Sequence, residues 1–142
     1  MKDPALKPVI NPLSEARRYV ANAKQTLQEH GQFDPDEKRY DDPKYVKAAG
    51  NYLWLAVLLA LDAVFHVKKS KKKGARVDVD DYKAAVAQRD RKLLNNVNDA
   101  YNILHLDMTY DGISNKDLCD LGFRLANDII DRCSLMIPSH VA

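Results

Sequence analysis

The ten residues Tyr52-Leu-Trp-Leu-Ala-Val-Leu-Leu-Ala-Leu61 constrain this chain more than any other stretch. The run is too long for one buried strand and shows no alternation, so it reads as helix. At about 100° per residue its apolar side chains cover every side of the cylinder. Such a helix must be wrapped, either as the central rod of a bundle or at a contact with a second subunit. Gly50 and the alanines at 48, 49, 56, 60 and 63 leave room for close neighbours. Asp42-Pro43 supplies an N-cap and a first-position proline, and the helix is expected to reach about Val67. Its charge-free part, Ala48 to Leu61, is closed by Lys47 and Asp62 and falls short of the roughly 20 residues a bilayer span needs. No membrane association is expected.

The remaining segments read as rods around this one. Asn11-Pro12 opens a first helix with the stripe Leu13, Ala16, Val20, Ala23 and Leu27, ended by Gly31. Residues 32–41 read as a polar connection. Asp78 or Asp80 can cap a third helix carrying Val79, Tyr82 and Val86. The stripe fails at Gln88-Arg-Asp-Arg-Lys92, where Asp90 can start a new helix; one bent helix is the alternative. Tyr110-Asp-Gly112 is a turn. Ser114, with Asp117 three residues on, is the expected cap of the last helix, whose stripe is Leu118, Leu121, Leu125, Ile129 and Cys133.

The chain has 142 residues with only five glycines and six prolines, and no segment alternates, so no sheet is expected. The expectation is an all-α, up-and-down bundle of four long helices plus one short one. Residues 1–11 read as an N-terminal arm, 12–133 as the helical-bundle domain and 134–142 as a tail. No apolar run marks a secretory leader near Met1.

Net charge is +2, but Lys68, Lys69, Lys71, Lys72, Lys73 and Arg76 fall within nine residues, leaving 16 basic and 20 acidic side chains elsewhere. This is a mildly acidic body with one basic segment, a candidate anion-binding stretch. No aromatic residue interrupts that segment to stack on bases, so nucleic acid is a less favoured partner than protein. Cys119 and Cys133 lie fourteen residues apart on one helix, about 21 Å, beyond disulfide reach. Two free thiols suit a reducing compartment, and the cytoplasm is expected.

The zinc-finger, P-loop, Rossmann and His-Glu-x-x-His patterns are absent, and no metal or cofactor is expected. Asp62 and His66 share a helix face at i, i+4, and Asp62 interrupts an apolar surface, so it needs a partner. Tyr101 and His105 form a second such pair, followed by Asp111. Asp62, His66, Tyr101, His105 and Asp111 are therefore the catalytic candidates, with a structural polar network as the simpler account. Trp54 reads as core or interface.

Tyr19-x3-Ala23-Lys24, Tyr45-Val-Lys-Ala-Ala-Gly50, Leu58-Leu-Ala-Leu-Asp-Ala63 before a Lys-rich segment, Ala100-Tyr-x-x-Leu-His-Leu106 and Tyr110-Asp-Gly112 together resemble a small bacterial family of uncharacterised helical proteins. The likeness spans about residues 13–133. More distantly the layout resembles the HEPN helical bundles, which pair as homodimers and include RNA-cleaving toxins. Active members of that superfamily carry Arg followed by His five to seven residues later. None of the arginines at 17, 18, 39, 76, 89, 91, 124 and 132 has a histidine at that distance. The resemblance thus implies fold and homodimer without the nuclease site. A non-catalytic protein acting by association is expected, with an RNA-binding protein of toxin–antitoxin type, using a non-standard site, as the alternative.

Overall fold

A computed structural model describes residues 11–67 and 77–137. The arm, the basic segment 68–76 and the last five residues lie outside the described residues, and with them the anion-binding expectation for the lysines.

Five α-helices and one π-helix form the fold among the described residues: α1 (Pro12–His30), α2 (Pro43–Phe65), α3 (Val79–Ala87), α4 (Arg91–Ala100), the π-helix (Tyr101–Tyr110) and α5 (Lys116–Met136). α4 and the π-helix run on without a gap, so four long rods and one short helix make an all-α bundle. The starts follow the capping chemistry in the sequence. Asn11 accepts from the Leu13 amide at 2.9 Å and Asp42 from the Lys44 amide at 3.2 Å, each before a proline. Asp78 and Asp81 form a reciprocal capping box on α3. Asp90 accepts from the Leu93 amide at 3.0 Å, so 78–110 is two rods and not one bent helix.

α2 contacts every other helix and supplies nine buried residues, from Val46 to Leu61. By length and composition this 23-residue helix could also cross a membrane, but half of its most apolar stretch is buried inside the fold, as befits a core rod. Leu13, Ala16, Ala23 and Leu27 of α1 pack on it as the stripe predicts, with Val20 half-buried. Gly50 sits where α2 crosses the π-helix; a Cβ there would lie 2.6 Å from Met108 Cβ.

Three sequence expectations need correction. The connection 32–41 is not irregular. Phe33–Asp34 (β1) pairs antiparallel with Arg39–Tyr40 (β2) in a two-stranded hairpin. Asp34 accepts from the amides of Asp36 and Glu37 around Pro35, a side-chain-closed turn, and strands of two residues are too short to show alternation. The hairpin is tied to the start of α5: the Tyr40 amide donates to the Ser114 carbonyl and the Lys116 amide to the Lys38 carbonyl, both at 2.9 Å. Second, α5 is capped by Asn115, not Ser114, and no side chain closes the cap. The Ser114 carbonyl is held by the hairpin, which shifts the helix start by one residue. Third, α2 stops at Phe65. His66 takes a left-handed conformation (φ 48°) and its amide donates to the Asp62 carbonyl at 3.1 Å, closing the helix.

Candidate functional site

The π-helix arranges the most unusual group of side chains. Its i→i+5 bonding places Tyr101 and Tyr110 on either side of His105, with ring centroids 5.3 and 5.0 Å away. Trp54, from the middle of α2, completes the group, 5.6 Å from His105 and 5.7 Å from Tyr101. Trp54 is 6% exposed, while Tyr110 lies largely in solvent.

His105 Nδ1 is buried and has no hydrogen-bond partner. A buried N–H without an acceptor costs more than a buried lone pair, so the ring is assigned as neutral with its proton on Nε2. Burial also pushes its pKa below the usual imidazole value. Among the described residues no carboxylate bonds to it, and His105 stands in this group as a neutral, aromatic wall.

Trp54, Tyr101, His105 and Tyr82 line a cavity of about 300 Å³ between α2, α3 and the π-helix, with Leu58, Val77 and Val79 as apolar walls and Asp78 at the edge. The Lys83 ammonium lies 4.7 Å from the Tyr101 ring centre. Asp62 reaches this group indirectly: the Tyr82 hydroxyl donates to its carboxylate at 3.1 Å. Burial raises the Asp62 pKa against the opposing pull of that bond, and burial with the nearby Asp62 charge pushes Tyr82 to about 12. The partner that Asp62 needs is thus a tyrosine on the following helix.

The five sequence candidates consequently separate. Tyr101 and His105 converge, and Asp62 joins them through Tyr82. His66 donates its backbone amide to the Asp62 carbonyl and its imidazole exerts a weak pull on the Asp62 carboxylate, the smallest of the effects on that group, but its side chain lines a different hollow, beside Asn11 and Ile137. Asp111 is exposed and ends the π-helix, its amide donating to the Leu106 carbonyl. Sequence reasoning did not place Tyr82, although its stripe position on α3 and the unpaired Asp62 were both visible. His30 stacks on Tyr45 at 4.9 Å at the far end of α1, and His140 lies outside the described residues. No group of three metal-binding side chains occurs among the described residues. Cys119 and Cys133 are buried and unpaired, and burial raises their thiols to about 11 and about 12.

A solved structure of a protein of unknown function from Dyadobacter fermentans is 40% identical, covering 87% of this chain and 93% of that one, with a TM-score of 0.77. No curated protein matches the chain. Residues 11–134, the whole bundle from the α1 cap almost to the end of α5, match the family model DUF5618, and the chain belongs to this family, a domain of unknown function.

Proposed function

We propose that the domain works by association, two copies pairing through the outer face of α2, and not by turning over a substrate. The observation that carries this reading is the line Asn51, Leu55, Leu58 and Asp62. α2 buries its other faces, yet Leu55 remains 37% exposed, with Leu58 and Leu59 half-buried beside it. The spacing of four, three and four keeps these residues on one stripe. The stripe also has opposite charges at its ends, exposed Lys44 and Asp62. An antiparallel two-fold would bring the Lys44 end of one copy beside the Asp62 end of the other, a self-complementary arrangement. The distant HEPN resemblance supports the same pairing, and the two unpaired buried thiols suit a cytoplasmic setting. Sedimentation at micromolar concentration tests the proposal. The native chain should run as a dimer, and Leu55→Glu as a folded monomer. A native chain that runs as a clean monomer refutes it.

A second reading, RNA binding, is favoured by one specific observation. The sequence places six basic side chains just before Val77, and Val77 lines the cavity walled by Trp54, Tyr82, Tyr101 and His105. Aromatic faces next to cations are what single-stranded nucleic acid needs. An RNA titration at two salt concentrations separates the readings: binding that weakens with salt supports this one, and no binding at low salt removes it.

A further inference from the structure

A second hollow, of about 350 Å³, lies on the other side of the bundle, between α1, α5 and β2. Its floor is apolar: Val20, Leu27 and Phe123. Its rim is polar: Lys24, Gln28, Tyr40, Asp120 and Asn127. The spacing explains the convergence. Val20, Lys24, Leu27 and Gln28 follow one another at four, three and one on α1, while Asp120, Phe123 and Asn127 follow at three and four on α5, so each helix turns one stripe toward the gap. β2 closes one end. The Tyr40 backbone is pinned to Ser114, and its ring packs against Gly31, where a Cβ would lie 2.7 Å from Tyr40 Cδ1.

The rim has one uncompensated charge. Lys116 pairs with Asp120 one turn along α5. Lys24 has no ion pair among the described residues, and the positions three and four away on its own helix are Val20, Ala21, Leu27 and Gln28, none of them acidic. Gln28 and Asn127 each bring two amide donors, and Tyr40 brings a hydroxyl whose proton is held more tightly because burial raises its pKa. A hollow with an apolar floor and a few convergent polar groups is the usual form of a small-molecule site, and its volume is at the low end of the roughly 300–1,000 Å³ range.

The geometry points to a binding site for a small monocarboxylic acid with a compact apolar body, its carboxylate held by Lys24, Gln28 and Asn127 and its body resting on Leu27 and Phe123. One charge on the rim matches one on the ligand. A bare inorganic anion would leave the floor uncovered. A zwitterion would need Asp120, which Lys116 already holds.

The test is a titration of the full chain with 4-methylpentanoate, read by NMR from the side-chain amide signals of Gln28 and Asn127. Saturable shifts of both signals are expected. The neutral 4-methylpentanamide should bind about tenfold more weakly or worse, and Lys24→Gln should cost the acid a similar factor. Lys24 is exposed, so this variant keeps the fold, which far-UV circular dichroism verifies. Any of four results overturns the assignment: no saturable binding, equal affinity for the acid and its amide, no effect of Lys24→Gln, or inorganic phosphate binding as tightly as the acid. Leucine binding more tightly than 4-methylpentanoate also overturns it, because Asp120 would then be an ammonium partner and the site one for zwitterions.

Discussion

Replacing Gly50 by alanine separates local propensity from packing, because the two predict opposite signs. Glycine inside a helix is worse than alanine by about 0.5–1 kcal/mol, so at an open position the change stabilises. At Gly50 the added Cβ would stand 2.6 Å from Met108 Cβ, 2.9 Å from Thr109 Oγ1 and 3.0 Å from the Leu104 carbonyl oxygen. Carbon atoms prefer about 3.5–4.0 Å. Met108 Cβ is fixed to its backbone and cannot rotate away. Thr109 is held as well, donating to the Leu104 carbonyl at 2.6 Å. The π-helix must therefore withdraw by about 1 Å from α2 along the contact. Leu104 and Met108 are both fully buried in that contact, so withdrawal loosens the core. Overpacking of this kind costs about 1–3 kcal/mol. Less the propensity gain, the net loss is about 0–2.5 kcal/mol, and at about 2–4 °C per kcal/mol the midpoint should fall by up to about 10 °C. Thermal unfolding followed at 222 nm measures it, with Asn22→Ala, exposed on α1 and away from the proposed pairing face, as the control that should hold or gain stability. A Gly50→Ala protein melting above the native midpoint, as propensity alone demands, would falsify the close-approach argument.

Two further predictions concern charge. Asp90 caps α4 and also accepts from Arg132 Nε at 2.7 Å, its side chain only 7% exposed. Asp90→Ala should cost about 1–2 kcal/mol from the cap alone, read as a lower urea midpoint with unchanged slope; an unchanged midpoint contradicts the role. The Arg132 bond, with the Leu93 amide bond second, holds the Asp90 pKa below the usual carboxylate value. Its contribution is therefore present above the unfolded-state pKa of about 4 and fades as pH falls through the folded one. His105 has the opposite charge type and the same pH sign. Burial lowers its pKa, so the unfolded chain binds more protons around the ordinary value of about 6.5, and stability declines on acidification below it. The His105 Cε1–H resonance should titrate below about 6.5, and His105→Phe should flatten the fall in melting temperature between about pH 7 and 5. A midpoint above 6.5 would show that the ring has a charge partner.

Much of the fold is legible because its starts and its core use local chemistry. Asn11-Pro12, Asp42-Pro43, Asp78 and Asp90 satisfy amides two or three residues away, and no tertiary information is needed to see them. The all-round apolar rod likewise declares its central position. What stayed hidden depends on contacts distant in sequence. The hairpin is short and gains its backbone partners from Ser114 and Lys116, some 75 residues on, so neither alternation nor length gave a strand signal. The same contacts moved the α5 cap from Ser114 to Asn115. The hollow between α1 and α5 needs two helices and β2 together, and its residues read singly as ordinary surface.

The candidate site was half legible for a more specific reason, the change of helical period at Tyr101. In an α-helix, residues five apart diverge by about 140° of azimuth, so His105 and Tyr110 would face different directions. Sequence spacing therefore paired His105 with Tyr101 alone. With i→i+5 bonding, residues four and five apart both come near the same face, and His105 gains Tyr110 as a second neighbour. The shift has a structural cause that can be located. Gly50 lets the π-helix backbone approach α2 closely, the Leu104 carbonyl is taken by the Thr109 hydroxyl five residues later, and Gly112 (φ +64°) ends the segment in a conformation that alanine rarely adopts. The crossing that holds the widened helix is thus the one that stacks His105 against Trp54 on α2. Packing and candidate site are here the same contact. A perturbation of Gly50 should therefore alter the environment of Trp54, the chain's one tryptophan, even where the fold survives it.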